Sequence, residues 1–408
     1  MDAVYGLPMV STQAKLGRAD NALFAYYTPG ITTTGMDWCH SHDRDQLERK
    51  VKQHLARSKE REIATPSANS PETLGEQISS EFDMDRVHEL LYRPFSKKYY
   101  YHDLALHEVL DRSAEFFGID GKAMNTCILL VDGGAGRPLT VCASDMLVQQ
   151  RLAGPRSTVR MVARHRIGAD GRRSENITDH GLDRFREHYG QRPLSSLADG
   201  VDPRVPSSIA AVRAARAQGL KRPEVRPPVL AEITHPAVFH YVYAVLHDPL
   251  HPPRHTTGSF IAPHIPLRPD FEAWSDRGRK LVELHTGFEM VEPWPLEVRT
   301  EHAGLARGTA AKATVLVDKE RGSVQLDRYT TVEGVPGEAW SYILGDRSAL
   351  EWVLEHWKER LNGRPHATAD GAKRYMEQLD RTIQRIKRVC RVSMETHRIR
   401  KELAMLAR

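Results

Sequence analysis

Apolar positions along the chain change period several times, and those changes divide it into regions. From Arg44 to Glu62 a charged stretch carries Leu47, Val51 and Leu55 four residues apart, the one-sided stripe of a peripheral helix. Ala, Thr, Pro, Ser and Asn crowd the stretch from Ala64 to Ser80, which reads as an exposed linker. Beyond Asp83 the pattern predicts a short helix around Val87 to Leu91, an aromatic strand from Lys97 to Tyr101 and a helix near Leu106 to Phe117. Two β-branched runs, Thr126 to Val131 and Leu139 to Ala143, flank a glycine-rich segment and predict a hairpin. A third strand, Val159 to Val162, leads through the turn Gly168 to Gly171 into a helix near Asp179 to Tyr189.

Five prolines between Pro203 and Pro228 surround one short Ala-rich helix and suggest a connector, beyond which helical spacing dominates. Thr234 and Pro236 open a helix carrying Val238, Phe239, Tyr241, Val242, Val245 and Leu246, which stops near Asp248-Pro249. Asp270 caps a second helix with Phe271, Trp274, Leu281 and His285 on one stripe and Gly287 at its end. A hairpin joins Ala313 to Val317 with Ser323 to Leu326. Asp346 opens a helix bearing Leu350, Val353 and Trp357, and a basic helix from about Ala372 closes the sequence. The expected fold class is α+β. An N-terminal segment (1–80) precedes a mixed-sheet region (81–202), the connector (203–230) and a mainly helical region (231–408).

The 408 residues are 40% hydrophobic and 27% charged, which excludes a membrane protein and a wholly disordered chain alike. The formal net charge of +5 is unevenly placed. Gly371 to Arg408 holds eleven Lys and Arg against four acids, a net +7, so the remainder is near neutral at -2. Met376, Leu379, Ile383, Ile386 and Cys390 step along the same segment by three and four, an apolar seam for another helix, which leaves its cations a solvated face or a surface for phosphate or an acidic partner. Cys39, Cys127, Cys142 and Cys390 form no C-x-x-C pair, so neither a disulfide framework nor a structural zinc site is expected. The first ten residues lack the features of a signal peptide, and a cytoplasmic location is expected.

Several catalytic readings fail on the residues they require. The glycines after Val131 are followed by a strand pattern and not by the helix a phosphate loop needs. Gly121-Lys122-Ala123 has Phe116 where a P-loop places its first glycine and Ala123 where it places a magnesium-binding hydroxyl. His40, His42, Asp43 and Asp45 crowd one segment with no evident complement elsewhere, and the histidines from His235 to His264 match no ligand spacing, so no metal site is assigned. No Ser nucleophile of the G-x-S-x-G kind occurs. No catalytic residue is assigned.

The most informative local signal is Tyr92-Arg93-Pro94-Phe95-Ser96-Lys97-Lys98-Tyr99-Tyr100-Tyr101-His102, where cations alternate with aromatics. Cations neutralise phosphates and aromatic rings pack on sugars or bases, so the stretch suits nucleic acid; it equally suits a half-buried strand. Other elements share an order with it: Thr28-Pro29-Gly30-Ile31 with Asp37-Trp38, Asn125 to Val131 before a glycine turn, and Asn176-Ile177-Thr178-Asp179 before Phe185-Arg186. Val238 to Pro249, Pro263-His264-Ile265-Pro266 before Asp270-Phe271, and Gly334-Val335-Pro336 with Trp340 continue the series. In this order the sequence resembles the C-terminal specificity region of single-polypeptide type ISP restriction-modification enzymes, from about Tyr26 to Val389.

The resemblance implies a module that reads double-stranded DNA for N6-adenine methylation and cleavage in phage defence. The family's catalytic motifs are not found here: Pro227-Pro228 and Pro252-Pro253 follow Arg226 and His251, where methyl transfer requires an Asn or Asp ahead of the prolines. The expected role is therefore recognition without catalysis. S-adenosylmethionine, ATP and magnesium are expected only with partner domains, as separately encoded methyltransferase and helicase or nuclease subunits or as the rest of an interrupted enzyme. The alternatives are a docking fragment and a methyltransferase component that needs a partner. Arg93, Lys97, Lys98, Tyr99, Arg172 and Arg173 are the candidate DNA contacts, with Arg160, Arg164 and Arg166 secondary. Arg93 has a second reading, as a brace for the strand behind it.

Overall fold

The computed structural model describes residues 6–11, 21–33, 36–64, 81–103, 113–133, 139–193, 232–250, 263–300, 315–361 and 369–408. The expected linker after Ala64, the Pro-rich connector, both Pro-Pro pairs and the glycine turn at 134–138 lie outside the described residues. In chain order the first strands are Leu7–Pro8 (β1), Thr28–Pro29 (β2), His40–Ser41 (β3), Val87–Arg93 (β4), Ser96–Tyr101 (β5) and Cys127–Asp132 (β6). Thr140–Ser144 (β7), Leu147–Val148 (β8), Thr158–Ala163 (β9), His165–Ile167 (β10), Arg173–Glu175 (β11) and His264–Ile265 (β12) follow. The last are Glu297–Thr300 (β13), Leu316–Asp318 (β14), Ser323–Gln325 (β15), Thr330–Glu333 (β16), Ile343–Leu344 (β17) and Arg347–Ser348 (β18). The helices are Arg44–Ala64 (α1), Ala114–Phe117 (α2), Asp179–His188 (α3), His235–Val245 (α4), Phe271–Thr286 (α5), Ala349–Leu361 (α6) and Ala369–Leu406 (α7). The fold is α+β, as the sequence implies.

An antiparallel sheet in the order β2-β9-β6-β7 divides the interior, with Leu129 paired to Met161 on one side and Cys142 on the other. Cys127, Leu129 and Val131 face a core shared with Tyr100, Trp340, Trp357 and the seam of α7. Ile128 and Leu130 face a second core built from α3, α4 and α5. Burial on both faces is why β6 reads as an unbroken apolar run without alternation.

A second sheet has the order β3-β5-β4-β8, and β4 runs parallel to β8, so this sheet is mixed. Val87 to Leu91, whose spacing suggests a helix, belongs to β4. Its pairing with β5 and with Leu147 and Val148 of β8 overrides the local pattern. α1 lays Leu47, Val51 and Leu55 on Tyr101 of this sheet. The C-terminal region holds a third sheet, β13-β16-β15-β14, in which β14 and β15 form the expected hairpin and β13 and β16 are strands the sequence pattern does not show.

Three helix starts illustrate local control. Thr234 accepts a hydrogen bond from the Ala237 N–H with Pro236 in the first turn, and Asp270 accepts one from Ala273. The third departs from expectation: α6 starts not at Asp346 but after Ser348, whose Oγ accepts from the Glu351 N–H while the Glu351 carboxylate accepts from the Ser348 N–H. That reciprocal pair is a capping box. Among the described residues no helix is long and apolar enough to cross a membrane.

Candidate nucleic-acid interface

The β4–β5 hairpin turns tightly at Pro94-Phe95. Phe95 takes a left-handed φ of 58°, costly for an aromatic residue, and its ring is held in the core edge-on to Phe288 with centroids 5.2 Å apart. Arg93 lies 4.3 Å from the Tyr92 ring centroid and donates to the Arg151 carbonyl at 3.0 Å and the Tyr92 carbonyl at 3.2 Å. Its guanidinium therefore braces the loop after β8. Lys97 donates to Glu289 at 2.6 Å and Glu89 at 3.0 Å. Burial alone would lower its pKa, but hydrogen bonds to these two carboxylates outweigh that cost and raise it.

Lys98 stands 3.3 Å over the Tyr92 ring, and burial pulls its pKa down to about 8. Tyr99 packs toward α1 with the Arg44 guanidinium 5.1 Å from its ring, while Tyr100 and Tyr101 are fully buried in different cores. Ser96, Tyr100 and Tyr101 are thus buried, while Lys97, Lys98 and Tyr99 stay partly exposed and make contacts within the fold.

A different disposition holds at the β10–β11 hairpin, where His165, Arg166 and Ile167 pair with Glu175, Ser174 and Arg173. Arg172 has 89% of its side chain exposed, with Asp170 at 3.4 Å, and Arg173 is also exposed. The root of the hairpin is pinned by two buried asparagines. Asn125 donates to the His165 and Phe116 carbonyls and accepts from the His165 N–H; Asn176 donates to the Ala163 and Tyr26 carbonyls and accepts from the Tyr26 N–H. Each amide thus ties three segments together, so a polar tip projects from a rigid base. Sequence reading places Asn125 and Asn176 in shared motifs without indicating this role.

Beside the hairpin runs a cleft of about 980 Å³, lined by Ile167, Gly168 and Gly171 on one side and elsewhere by Arg86, Lys122 and His102 together with the acids Asp83, Asp85, Asp103, Glu115 and Asp120. Arg86 holds the buried Asp103 at 2.6 Å. Acids outnumber cations in this lining, so the cleft itself is a poor surface for phosphates, and the exposed cations beside it are those of the hairpin tip. Arg166 pairs with Glu115 at 3.2 Å, and Arg160 is half-buried beside Tyr27, whereas Arg164 is only partly exposed. On α7, Leu379, Ile383, Ile386 and Cys390 are buried as the seam predicts. Its cations are not one solvated face: Arg391 stacks on Trp294 at 4.5 Å, Arg398 pairs with Glu395 and Glu402, and burial lowers the pKa of Arg385 and Arg400.

A family model described as the type ISP C-terminal specificity domain matches residues 22–388. A search of curated proteins finds no match. Among solved structures, the chain is similar to DrdV in a cryoEM structure of its DNA complex, with 28% identity and a TM-score of 0.70 over 97% of this chain and 38% of that one. It shares its fold with a nuclease-deletion mutant of the type ISP restriction-modification enzyme LlaGI in complex with a DNA substrate mimic, at 17% identity and a TM-score of 0.63, over 98% of this chain and 34% of that one. The ATP-dependent type ISP enzyme LlaBIII bound to DNA gives 16% identity and a TM-score of 0.62, over 98% of this chain and 24% of that one. The chain thus spans well under half the length of each of these structures.

Proposed function

The chain belongs to the family of type ISP C-terminal specificity domains, and we propose that it recognises the DNA target of a type ISP-like restriction-modification system without catalysing either reaction itself. The family match over residues 22–388 carries this reading. At residue level it is supported by the β10–β11 hairpin, whose exposed Arg172 and Arg173 sit on a base fixed by Asn125 and Asn176. Guanidinium groups on a rigid protrusion can reach both phosphates and the O6 and N7 atoms of guanine. Arg93, Lys97 and Lys98 act one step back in this proposal, holding the neighbouring sheet in shape. N6-adenine methylation, ATP-dependent cleavage, and the S-adenosylmethionine, ATP and magnesium they use belong to domains or partners beyond the matched region.

Selection of bound sequences from random duplex DNA, followed by affinity measurements across salt, tests the reading. With about six phosphate contacts the affinity is expected to fall roughly a thousandfold between 50 and 200 mM salt. Changing Arg172 and Arg173 to alanine should reduce the salt slope by about 2 where both contact phosphate, and relax one or two positions of the selected site where either reads a base. The pair Lys97→Ala and Lys98→Ala should instead lower thermal stability and leave the selected sequence unchanged. Salt-insensitive association with no enriched sequence overturns the proposal.

A further inference from the structure

Outside the proposed DNA surface, one partly buried cluster joins residues more than three hundred positions apart. α6 places His356 and Glu359 three residues apart on one helical face, and the turn between β3 and α1 brings His42 against them. The His42 and His356 rings meet edge to face with centroids 4.8 Å apart, and one donor atom from each of the three side chains lies within 4.8 Å of the others. His356 is 2% exposed, and neither of its ring nitrogens has a hydrogen-bond partner among the described residues. A buried imidazole with both nitrogens unsatisfied needs an explanation such as an ion.

We propose that His42, His356 and Glu359 bind a borderline first-row divalent cation, zinc in the first instance, which clips the turn ahead of α1 to α6. Two imidazoles and one carboxylate are an established zinc donor set, with water completing a tetrahedron. Tetrahedral binding draws the donors to about 3.4 Å from one another, given metal to ligand distances of about 2.1 Å. His42 and Glu359 are only half-buried, so rotation of their side chains supplies that closure.

Two other residues of the crowded N-terminal segment are occupied elsewhere. Asp43 accepts from the Gln46 N–H to cap α1, and His40 pairs into the sheet opposite Tyr100. Lys98, Arg360 and Arg385 bring positive charge toward His356. These cations act against any divalent ion alike; it is the donor set, two imidazoles and a single carboxylate, that favours a borderline metal over calcium or magnesium, which need several oxygen ligands.

The test uses the untagged full chain, stripped with a chelator, dialysed and titrated with zinc, and in parallel with cobalt(II), whose visible absorption reports coordination number. About one equivalent should bind, with a four-coordinate cobalt spectrum and a rise in thermal midpoint. His356→Ala, His42→Gln and Glu359→Gln should each abolish the spectrum and weaken zinc binding by about tenfold or more. The two glutamine variants lie on half-buried positions and keep the test decisive if His356→Ala does not fold. Failure of the wild-type chain to bind zinc at micromolar concentration, or binding that persists unchanged in His42→Gln and Glu359→Gln, overturns the proposal.

Discussion

Replacing Gly278 with alanine should destabilise the protein by about 3 kcal/mol or more, among the largest effects of any single methyl group in this fold. α4 and α5 pack so closely here that a Cβ on Gly278 would lie 1.8 Å from the His240 carbonyl oxygen and 2.6 Å from its carbon. Both obstructing atoms are backbone, so no side-chain rotation relieves the clash, and the helices must separate. Separation would open the core in which Phe239, Tyr241, Val242 and Tyr243 of α4 and Trp274 and Leu281 of α5 are buried.

Gly190 provides the control. It has a φ of 73°, and a Cβ added there would meet no atom within 4 Å, so alanine should cost only about 1 kcal/mol through backbone strain. Denaturant unfolding of the two variants checks the ranking. A Gly278→Ala midpoint equal to the wild-type value, or above that of Gly190→Ala, would refute the close approach of α4 and α5.

That approach shows where sequence reading succeeds and where it stops. α4 and α5 are legible from their caps and apolar stripes, because Thr234, Pro236 and Asp270 act within one turn of the helices they start. The β6–β7 hairpin is legible for the same reason, its partner strands being neighbours in sequence. β4 is not, since Val87, Leu90 and Leu91 fit a helical spacing and only pairing with Leu147 and Val148 decides the outcome. The Ser348–Glu351 capping box stands in the sequence two residues beyond the acid expected to open α6.

The candidate site divides similarly. The basic aromatic stretch from Tyr92 to Tyr101 is a genuine signal of cations beside rings, but composition does not distinguish rings that meet a ligand from rings that meet a core. Glu289, which holds Lys97, lies 192 residues away. Arg172 and Arg173 are recognisable as a polar turn, whereas the rigidity beneath them comes from Asn125 and Asn176 reaching across strands. The partnership of His42 with His356 is likewise a product of tertiary structure.

The second large effect is acid destabilisation centred on His247 and His285. Both are buried where α4, α5 and α7 meet: His285 bonds to the Tyr243 hydroxyl and, at 2.8 Å, to the Thr396 hydroxyl, while His247 faces the Tyr243 carbonyl at 2.8 Å. Burial lowers the pKa of His247 to about 4 and holds His285 well below the usual imidazole range, with His247 adding to the effect on His285 and Arg400 to that on His247. Tyr342 stacks on His285, and burial drives Tyr243 and Tyr342 upward, so neither phenol offers an anion to balance a protonated ring. The unfolded chain binds protons at these rings near pH 6.5, whereas the folded chain does not. Stability is therefore complete above pH 6.5 and is lost as the pH falls toward 4, at about 1.4 kcal/mol per pH unit for each histidine. His247 alone accounts for about 3 kcal/mol over that window, and His285 adds to it. Urea unfolding of wild type and of His247→Gln with His285→Gln at a series of pH values isolates the effect, because glutamine keeps hydrogen-bonding capacity without titrating. The double variant should start less stable at pH 7.5 yet lose stability with a slope shallower by about two protons between pH 6.5 and 4. Equal slopes in the two proteins would show that these rings accept protons without unfolding the chain, and that the polar junction of α4, α5 and α7 opens to water in the native state.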